Sequence, residues 1–381
     1  MSKLIGSRLR LARELAGVPK RTLASEIGIT QQALNNYERG DRSPDADIVA
    51  SIANVLNVSR EFLVLPKKRE TQRESALFFR SLRSSETKRR NQSFTALLQL
   101  IADDLKWIHG FLSFPTAQLP EVPREKRAWT ADEIETVADQ TRVLWGLGMK
   151  PIPKLVTLLE SKGVFCFELP ARDARIDAFS AIFDGMPLIA TDADSPDRAR
   201  RRFNLAHELG HLILHRSLTD EDLAESGTLG RVESEANRFA GAFLMPQSSF
   251  AAEMPVVSVA TLKIAKPRWG ASIAAMIYRS KDLELIDEKR ASELFRQLSM
   301  KKWTRAGAEP GDDQLPEEKP RIVNAGFEAL KSHWPQVLQQ LSDDQHTPTK
   351  ILRDGFGVAP PESNIIEFQP KLRPDFGLFT S

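Results

Sequence analysis

Two histidines four residues apart, with a glutamate directly after the first, form a His-Glu-x-x-His pattern at His207, Glu208 and His211, inside the run Phe203-Asn204-Leu205-Ala206-His207-Glu208-Leu209-Gly210-His211-Leu212-Ile213-Leu214-His215. On a helix, positions four apart lie one above the other on the same face, so both imidazoles can reach one metal ion. Glu208 then projects beside the ion, where a base for a zinc-bound water belongs. A catalytic zinc also needs a third protein ligand and a position left for water. Glu233 offers that third carboxylate, and Glu235 two residues on is the alternative. Asn237 falls one helical turn from Glu233, where its amide could hold a ligand in place. His215 falls one turn beyond His211 and is read as a supporting residue, because a fourth protein ligand would close the water position.

The elements that must position these residues are legible around them. Arg198 to His215 reads as one helix, with Ser195-Pro196-Asp197 as its start and Phe203, Leu205, Ala206, Leu209, Leu212 and Ile213 as its apolar cover. A second helix opens at Glu233 and closes at Met245-Pro246. Upstream, Thr130-Ala131-Asp132-Glu133 reads as a capping box before an amphipathic helix over Ile134 to Leu147, which Gly148 stops. A helix from Pro151-Ile152-Pro153 to Glu160 follows, and strands are expected at Val164 to Leu169, Ala178 to Phe183 and Leu188 to Thr191. A small sheet beside the metal helix is suited to hold a substrate strand along an edge. Cys166, in the apolar run Val164-Phe165-Cys166-Phe167, reads as a core residue. Short amphipathic helices are expected at Val259 to Ile264, Ser272 to Tyr278 and Ala291 to Leu298, with Trp269-Gly270-Ala271-Ser272 leading into the second. Tyr278 and Arg279 could face the cleft, but a packing role is the better reading for both.

The motifs His-Glu-Leu-Gly-His-Leu-Ile-Leu-His and Glu-x-Glu-Ala-Asn-Arg-Phe-Ala-x-x-Phe-Leu-Met-Pro resemble the ImmA/IrrE family of bacterial zinc metallo-endopeptidases, and the segments Ile176-Asp177-Ala178-Phe179-Ser180 and Pro187-Leu188-Ile189-Ala190-Thr191 resemble its strands. The resemblance runs from about Asp132 to Trp303. It implies a zincin-like HExxH metalloprotease domain, zinc as cofactor, Glu233 rather than Glu235 as third ligand, and a regulatory protease that cuts a partner repressor under stress or during mobile-element induction.

The remainder of the chain bounds the setting. With 381 residues it holds two or three domains. A hydrophobic content of 41% supplies cores, and no apolar run reaches membrane-spanning length. Met1-Ser2-Lys3-Leu4 leads straight into a charged helix rather than a signal peptide, and the single cysteine, which excludes an internal disulfide, fits a cytoplasmic protein. The net charge of +2 means that nucleic-acid binding must come from local charge and shape.

Such a locality lies at the start. Lys20 to Gly40 reads as two short helices meeting at Gly28, the second capped by Thr30, with Ala24, Ile29 and Leu34 in the angle. Gln31, Gln32 and Asn36 then lie outward near the start of the second helix, where amides can pair with adenine in the major groove. Arg21, Arg39 and Arg42 are placed for backbone phosphate. Through Arg42-Ser43-Pro44 and a later helix at Ile48 to Leu56, the segment resembles the lambda-repressor-like (XRE) DNA-binding domain, which implies an operator duplex as partner and admits a homodimer.

The resulting expectation is a mainly α chain with a small β-sheet (α+β): a helix-turn-helix domain at 1–65, a basic and helical linker at 66–129, a zinc metallopeptidase domain at 130–303 and a helical to irregular C-terminal region at 304–381, helical over Ile322 to Leu341. The function expected is a DNA-binding regulatory protease acting on a protein substrate. The alternative is a transcription factor whose zinc domain is a non-hydrolytic sensor or interaction module, including an antitoxin-like role.

Overall fold

Among the described residues helices predominate and the strands gather in two small sheets, one of four strands and one of two. The structure, a computed structural model, describes residues 3–66, 71–74, 78–79, 85–123, 125–169, 178–192, 196–347 and 371–372. Ser195, Ile176, Asp177, the basic residues Lys67, Lys68, Arg69, Arg80 and Arg83, and nearly all of the tail from Asp354 lie outside the described residues. The chain divides into two units, one of residues 1–72, 81–114 and 322–381, the other of 73–80 and 115–321.

In the first unit, α1 (Gly6–Leu15), α2 (Lys20–Glu26), α3 (Gln31–Arg39), α4 (Ala46–Leu56) and α5 (Arg60–Val64) close around fully buried Leu9, Leu23, Leu34, Ile52 and Phe62. Three of these helices start on a side-chain cap: Thr30, Asp45 and Ser59 accept from the amides of Ala33, Ile48 and Phe62. The stretch expected to be a basic and helical linker, with helical periodicity over Phe94 to Leu112, contributes a long helix to this unit. That helix, α6 (Ser85–Ile108), packs on α1, and Ser93 Oγ donates to the Leu15 carbonyl at 2.9 Å. Its basic start, Lys88-Arg89-Arg90, interrupts the apolar period that Leu98, Ile101, Leu105 and Ile108 carry into the core. The helix expected over Ile322 to Leu341 is two helices, α16 (Ile322–His333) and α17 (Val337–Gln345). Pro335 falls in the break, where a helix would lose a backbone donor. They join α6 through Trp107 Nε1 to Asp344 Oδ2 at 2.8 Å and Gln345 Nε2 to the Asp103 carbonyl at 2.9 Å. β2 (Leu112–Ser113) pairs with β6 (Lys371–Leu372).

The second unit holds the sheet. β3 (Phe165–Leu169) runs parallel to β5 (Met186–Asp192), β4 (Ala178–Phe183) runs antiparallel to β5, and β1 (Phe78–Phe79) runs antiparallel along the outer edge of β4. Asp184 and Gly185, both at positive φ, turn the β4–β5 hairpin in the manner of a two-residue Asp-Gly turn. The β4 edge is thus paired by the chain itself, with Glu74 donating its amide to the Ile182 carbonyl at 2.8 Å. α9 (Arg198–Leu214) lies against β4 and β5, with α8 (Leu155–Ser161) beside it. After the short α10 (Asp220–Ala224), α11 (Thr228–Leu244) packs on both α9 and α7 (Ala131–Leu144), which begins with the Thr130–Glu133 capping box. α11 starts five residues before Glu233, so Glu233 lies inside the helix and does not open it. Gly210 makes the α9–α11 packing close: a Cβ there would stand 3.1 Å from Phe239 and 3.3 Å from Ala236.

Four further helices complete the unit: α12 (Gln247–Glu253), α13 (Val259–Trp269), α14 (Ile273–Asp282) and α15 (Glu288–Met300). Trp269-Gly270 ends α13 and only Ser272 opens α14. The stretch after Trp303, given no role by its sequence, is a strap over the start of α9. Asp312, at a short 3-10 turn, accepts from the Arg198 amide and pairs with buried Lys266 at 2.8 Å, while Glu309 takes the same ammonium at 2.7 Å. Glu318 pairs with buried Arg202 and accepts from the Val156 amide at 2.6 Å. An acid at the first turn of a helix satisfies an orphan amide and meets the positive end of its dipole.

Because Arg202 is buried, Glu318→Ala leaves an unpaired guanidinium as well as an unpaired amide. It should lower the unfolding free energy of the second unit by about 3–5 kcal/mol, read as a fall in the denaturant midpoint.

Candidate metal centre

α9 presents His207 and His211 on one face, 3% and 1% exposed, and α11 brings Glu233 to them. His207 Nε2 and His211 Nε2 stand 3.0 Å apart, Glu233 Oε2 is 3.5 Å from the first and Oε1 is 3.4 Å from the second. Ligands at about 2.0–2.1 Å from a tetrahedral ion stand about 3.3 Å from one another. The nearest approaches among the three residues are therefore close to that spacing, and one donor atom from each lies within 4.8 Å of the others. Glu233 Oε1 is buried with no hydrogen-bond partner, as a coordinating oxygen would be. The donor set fits zinc in chemistry and spacing.

The surroundings of each ligand are equally defined. The Asn237 amide oxygen lies 2.9 Å from His207 Nδ1, which places the proton on that nitrogen and the lone pair on Nε2. His215 stands with Nδ1 3.0 Å from His211 Nδ1, outside the three-donor set, and Glu235 lies 2.8 Å from its Nε2. Glu235 is thus placed on His215 and Glu233 on the ligand pair. Burial pushes His211 down to about 3 and lowers His215 as well, so both are neutral near pH 7. Ser180, fully buried in β4, was not evident as a site residue: its Oγ donates to Glu208 Oε2 at 2.6 Å. Its signal is one small hydroxyl in a strand whose every residue is buried, since a buried hydroxyl needs a partner.

Other candidates lie elsewhere. Arg279 is buried and forks onto Glu135 at 2.5 and 2.8 Å, while Tyr278 is exposed and packs on Phe295 with ring centroids 4.8 Å apart. Cys166 is buried in β3, and burial pushes its thiol up, away from nucleophilic use. In the first unit Gln31 and Gln32 are exposed on the first turn of α3, and Arg21 and Arg42 are exposed nearby. Asn36 is half-buried and accepts from Arg39 at 2.7 Å, while Arg39 pairs with Asp41 at 2.8 Å. Lys20 is drawn to buried Glu38 at 2.9 Å, which Arg13 also holds.

Comparison with known proteins agrees with both halves. Residues 159–281 match the family model for the IrrE N-terminal-like domain, and residues 9–63 match a helix-turn-helix model. The chain is 38% identical over 71 residues to the HTH-type transcriptional regulator ImmR of Bacillus subtilis (strain 168), spanning 18% of this chain and 56% of ImmR. It is 37% identical over 67 residues to the uncharacterized HTH-type transcriptional regulator YazB of the same bacterium, 18% of this chain and 97% of YazB. The chain belongs to the XRE-type helix-turn-helix regulators and carries an IrrE-like peptidase-family domain. It is also 34% identical over 61 residues to the SPbeta prophage-derived uncharacterized regulator YonR, 16% of this chain and 56% of YonR. ImmR and YonR are thus matched over little more than half their length. Among the described residues no helix is long and apolar enough to cross a membrane.

Two outcomes follow from the donor set. One zinc should bind per chain; His207→Ala, His211→Ala and Glu233→Ala should each lose it on dialysis, and Glu235→Ala should retain more than any of these, as read by metal analysis. In the metal-free chain, His211 stays neutral when folded but protonates near 6.5 when unfolded, and burial lowers His215 in the same direction. The unfolded state then binds more protons below that pH, so stability is full at neutral pH and falls on acidification. The slope should reach about 1.4 kcal/mol per pH unit for His211, with His215 adding in the same sense, measured by denaturant unfolding between about pH 7 and 5.

Proposed function

We propose that this regulator is a DNA-binding zinc metallo-endopeptidase that cuts a partner protein such as a transcriptional repressor. The observation that carries the reading is Glu208, a buried carboxylate on the residue directly after His207, held by Ser180. A site that served only to bind metal would have no use for it. Zinc held by His207, His211 and Glu233 would supply Lewis acidity toward a peptide carbonyl. Glu208 would take a proton from water and return it to the leaving amine nitrogen, a role worth typically ~10²–10⁴ in rate. The Ser180 hydroxyl steadies its carboxylate by donating to Oε2. Asn237 holds the His207 ring through Nδ1. An extended substrate that adds to β4 would have to displace the chain's own pairing along that edge.

Gln31 and Gln32 would read bases while Arg21 and Arg42 hold phosphate, placing the protease at an operator. Tethering there raises the effective concentration of protease around a repressor bound nearby. The names of the relatives speak only of regulators. The alternative is therefore a zinc domain that senses or docks without hydrolysis, including as an antitoxin-like module.

Glu208→Gln separates the two, because it keeps all three ligands. It should bind zinc like wild type yet lose cleavage by at least ~10²-fold. Protein N-termini labelled in cells expressing either form should include new ones only with wild type; identical sets, with zinc bound in both, would establish the non-hydrolytic reading. For the first unit, Gln31→Ala and Gln32→Ala in the full chain should each relax sequence preference by about 1–3 kcal/mol, and Arg42→Ala should weaken all sequences alike, as read by titration against duplexes at several salt concentrations.

A further inference from the structure

Glu235, the glutamate not assigned to the metal, has every oxygen engaged. Its Oε1 accepts from the Trp129 amide and from Arg231 NH1, both at 3.1 Å, and its Oε2 faces His215 Nε2 at 2.8 Å. A carboxylate only accepts, so His215 Nε2 must carry a proton. Neutral His215 then has its lone pair on Nδ1, and Nδ1 lies 3.0 Å from His211 Nδ1. His211 thus faces a lone pair at both of its nitrogens, that of His215 at Nδ1 and that of His207 at Nε2. A cation held between His207 and His211 would relieve the second contact and only a proton can relieve the first, so the arrangement suits a His211 that donates from Nδ1 and keeps its lone pair on Nε2, the atom facing His207 and Glu233.

We infer that Glu235 and His215 form a relay of positioning residues that fixes the tautomer and ring orientation of His211 and so sets the affinity of the metal centre. The relay rests on the metal-centre reading above and gives a role to two residues outside the donor set. It is anchored at a third place in the fold: Trp129, directly before the capping residue of α7, also donates its indole Nε1 to the Leu214 carbonyl at 3.1 Å, next to His215. Trp129, α11 and the end of α9 are thereby locked to one another around the Glu235 carboxylate, and the consequence of that lock is delivered at His211 Nε2. Without the relay, His211 would populate both neutral tautomers, one of which presents an N–H to the ion and must be converted before it can bind.

The test uses the full chain, with zinc itself as the probe. Wild type, Glu235→Gln and His215→Phe are compared by zinc competition against a chelator of known affinity, and the proton position on His211 is read in the metal-free proteins by long-range nitrogen–proton NMR. His215→Phe keeps a ring but removes the acceptor, and should weaken zinc binding about 10–100-fold while moving proton population from His211 Nδ1 to Nε2. Glu235→Gln, nearly isosteric, should shift both readouts in the same direction and keeps the comparison decisive if His215→Phe does not fold. A purely structural role would lower the unfolding midpoint of the metal-free chain and leave His211 tautomer and zinc affinity at wild-type values; that result overturns the relay. If wild type takes up no zinc, the metal-centre reading falls instead, and the NMR tautomer comparison still decides whether the relay operates.

Discussion

The close packing of α9 on α11 is the constraint on which the second unit depends. His207 and His211 come from one helix and Glu233 from the other, and their donor atoms are brought within 3.5 Å because Gly210 lets Phe239 and Ala236 approach. That approach aims two imidazole lone pairs and a carboxylate into one small volume. Groups of this kind repel unless a cation lies between them, and burial holds His211 neutral. The apolar packing of Leu205, Leu209, Phe239 and Phe243 holds together what the polar groups alone would drive apart.

Buried charge elsewhere follows the opposite logic. Arg142 is spent on three carbonyls, those of Gly148, Lys150 and Phe243, and Arg279 on a bidentate carboxylate plus the Met245 carbonyl. These side chains tie α7, α11 and α14 together at the margin of their shared apolar core, and each is satisfied where it lies. A fully satisfied buried cation specifies geometry more than it adds stability. The metal site is the one cluster among the described residues left open toward a cation that only a ligand can supply.

How much was legible in the sequence depended on the range of each interaction. Within-helix spacing placed His207, Glu208 and His211 on one face, and short-range caps at Thr30 and Thr130 marked two helix starts at the residue. The β4 strand was legible at both ends because its residues are buried throughout and an Asp-Gly turn closes it. Long-range partners were not. Nothing local to Ser180 shows that its hydroxyl meets Glu208, and nothing local to Glu235 shows that it faces His215. Likewise, the basic run before residue 90 obscured the start of α6, and the helix expected over Ile322 to Leu341 divides at a proline that periodicity alone passed over.

The strap from Gly307 to Arg321 separates two things that are easily equated. The family match ends at residue 281, and every candidate ligand lies inside it. Yet Asp312, Glu309 and Glu318, which neutralise Lys266 and Arg202 and seat the first turn of α9, all lie beyond it. The matched segment therefore contains the ligands, while three acids that moor the ligand helix lie past its end. Two proteins could carry the same ligands and differ in how firmly the ligand helix is moored, with the difference written in residues that no motif includes.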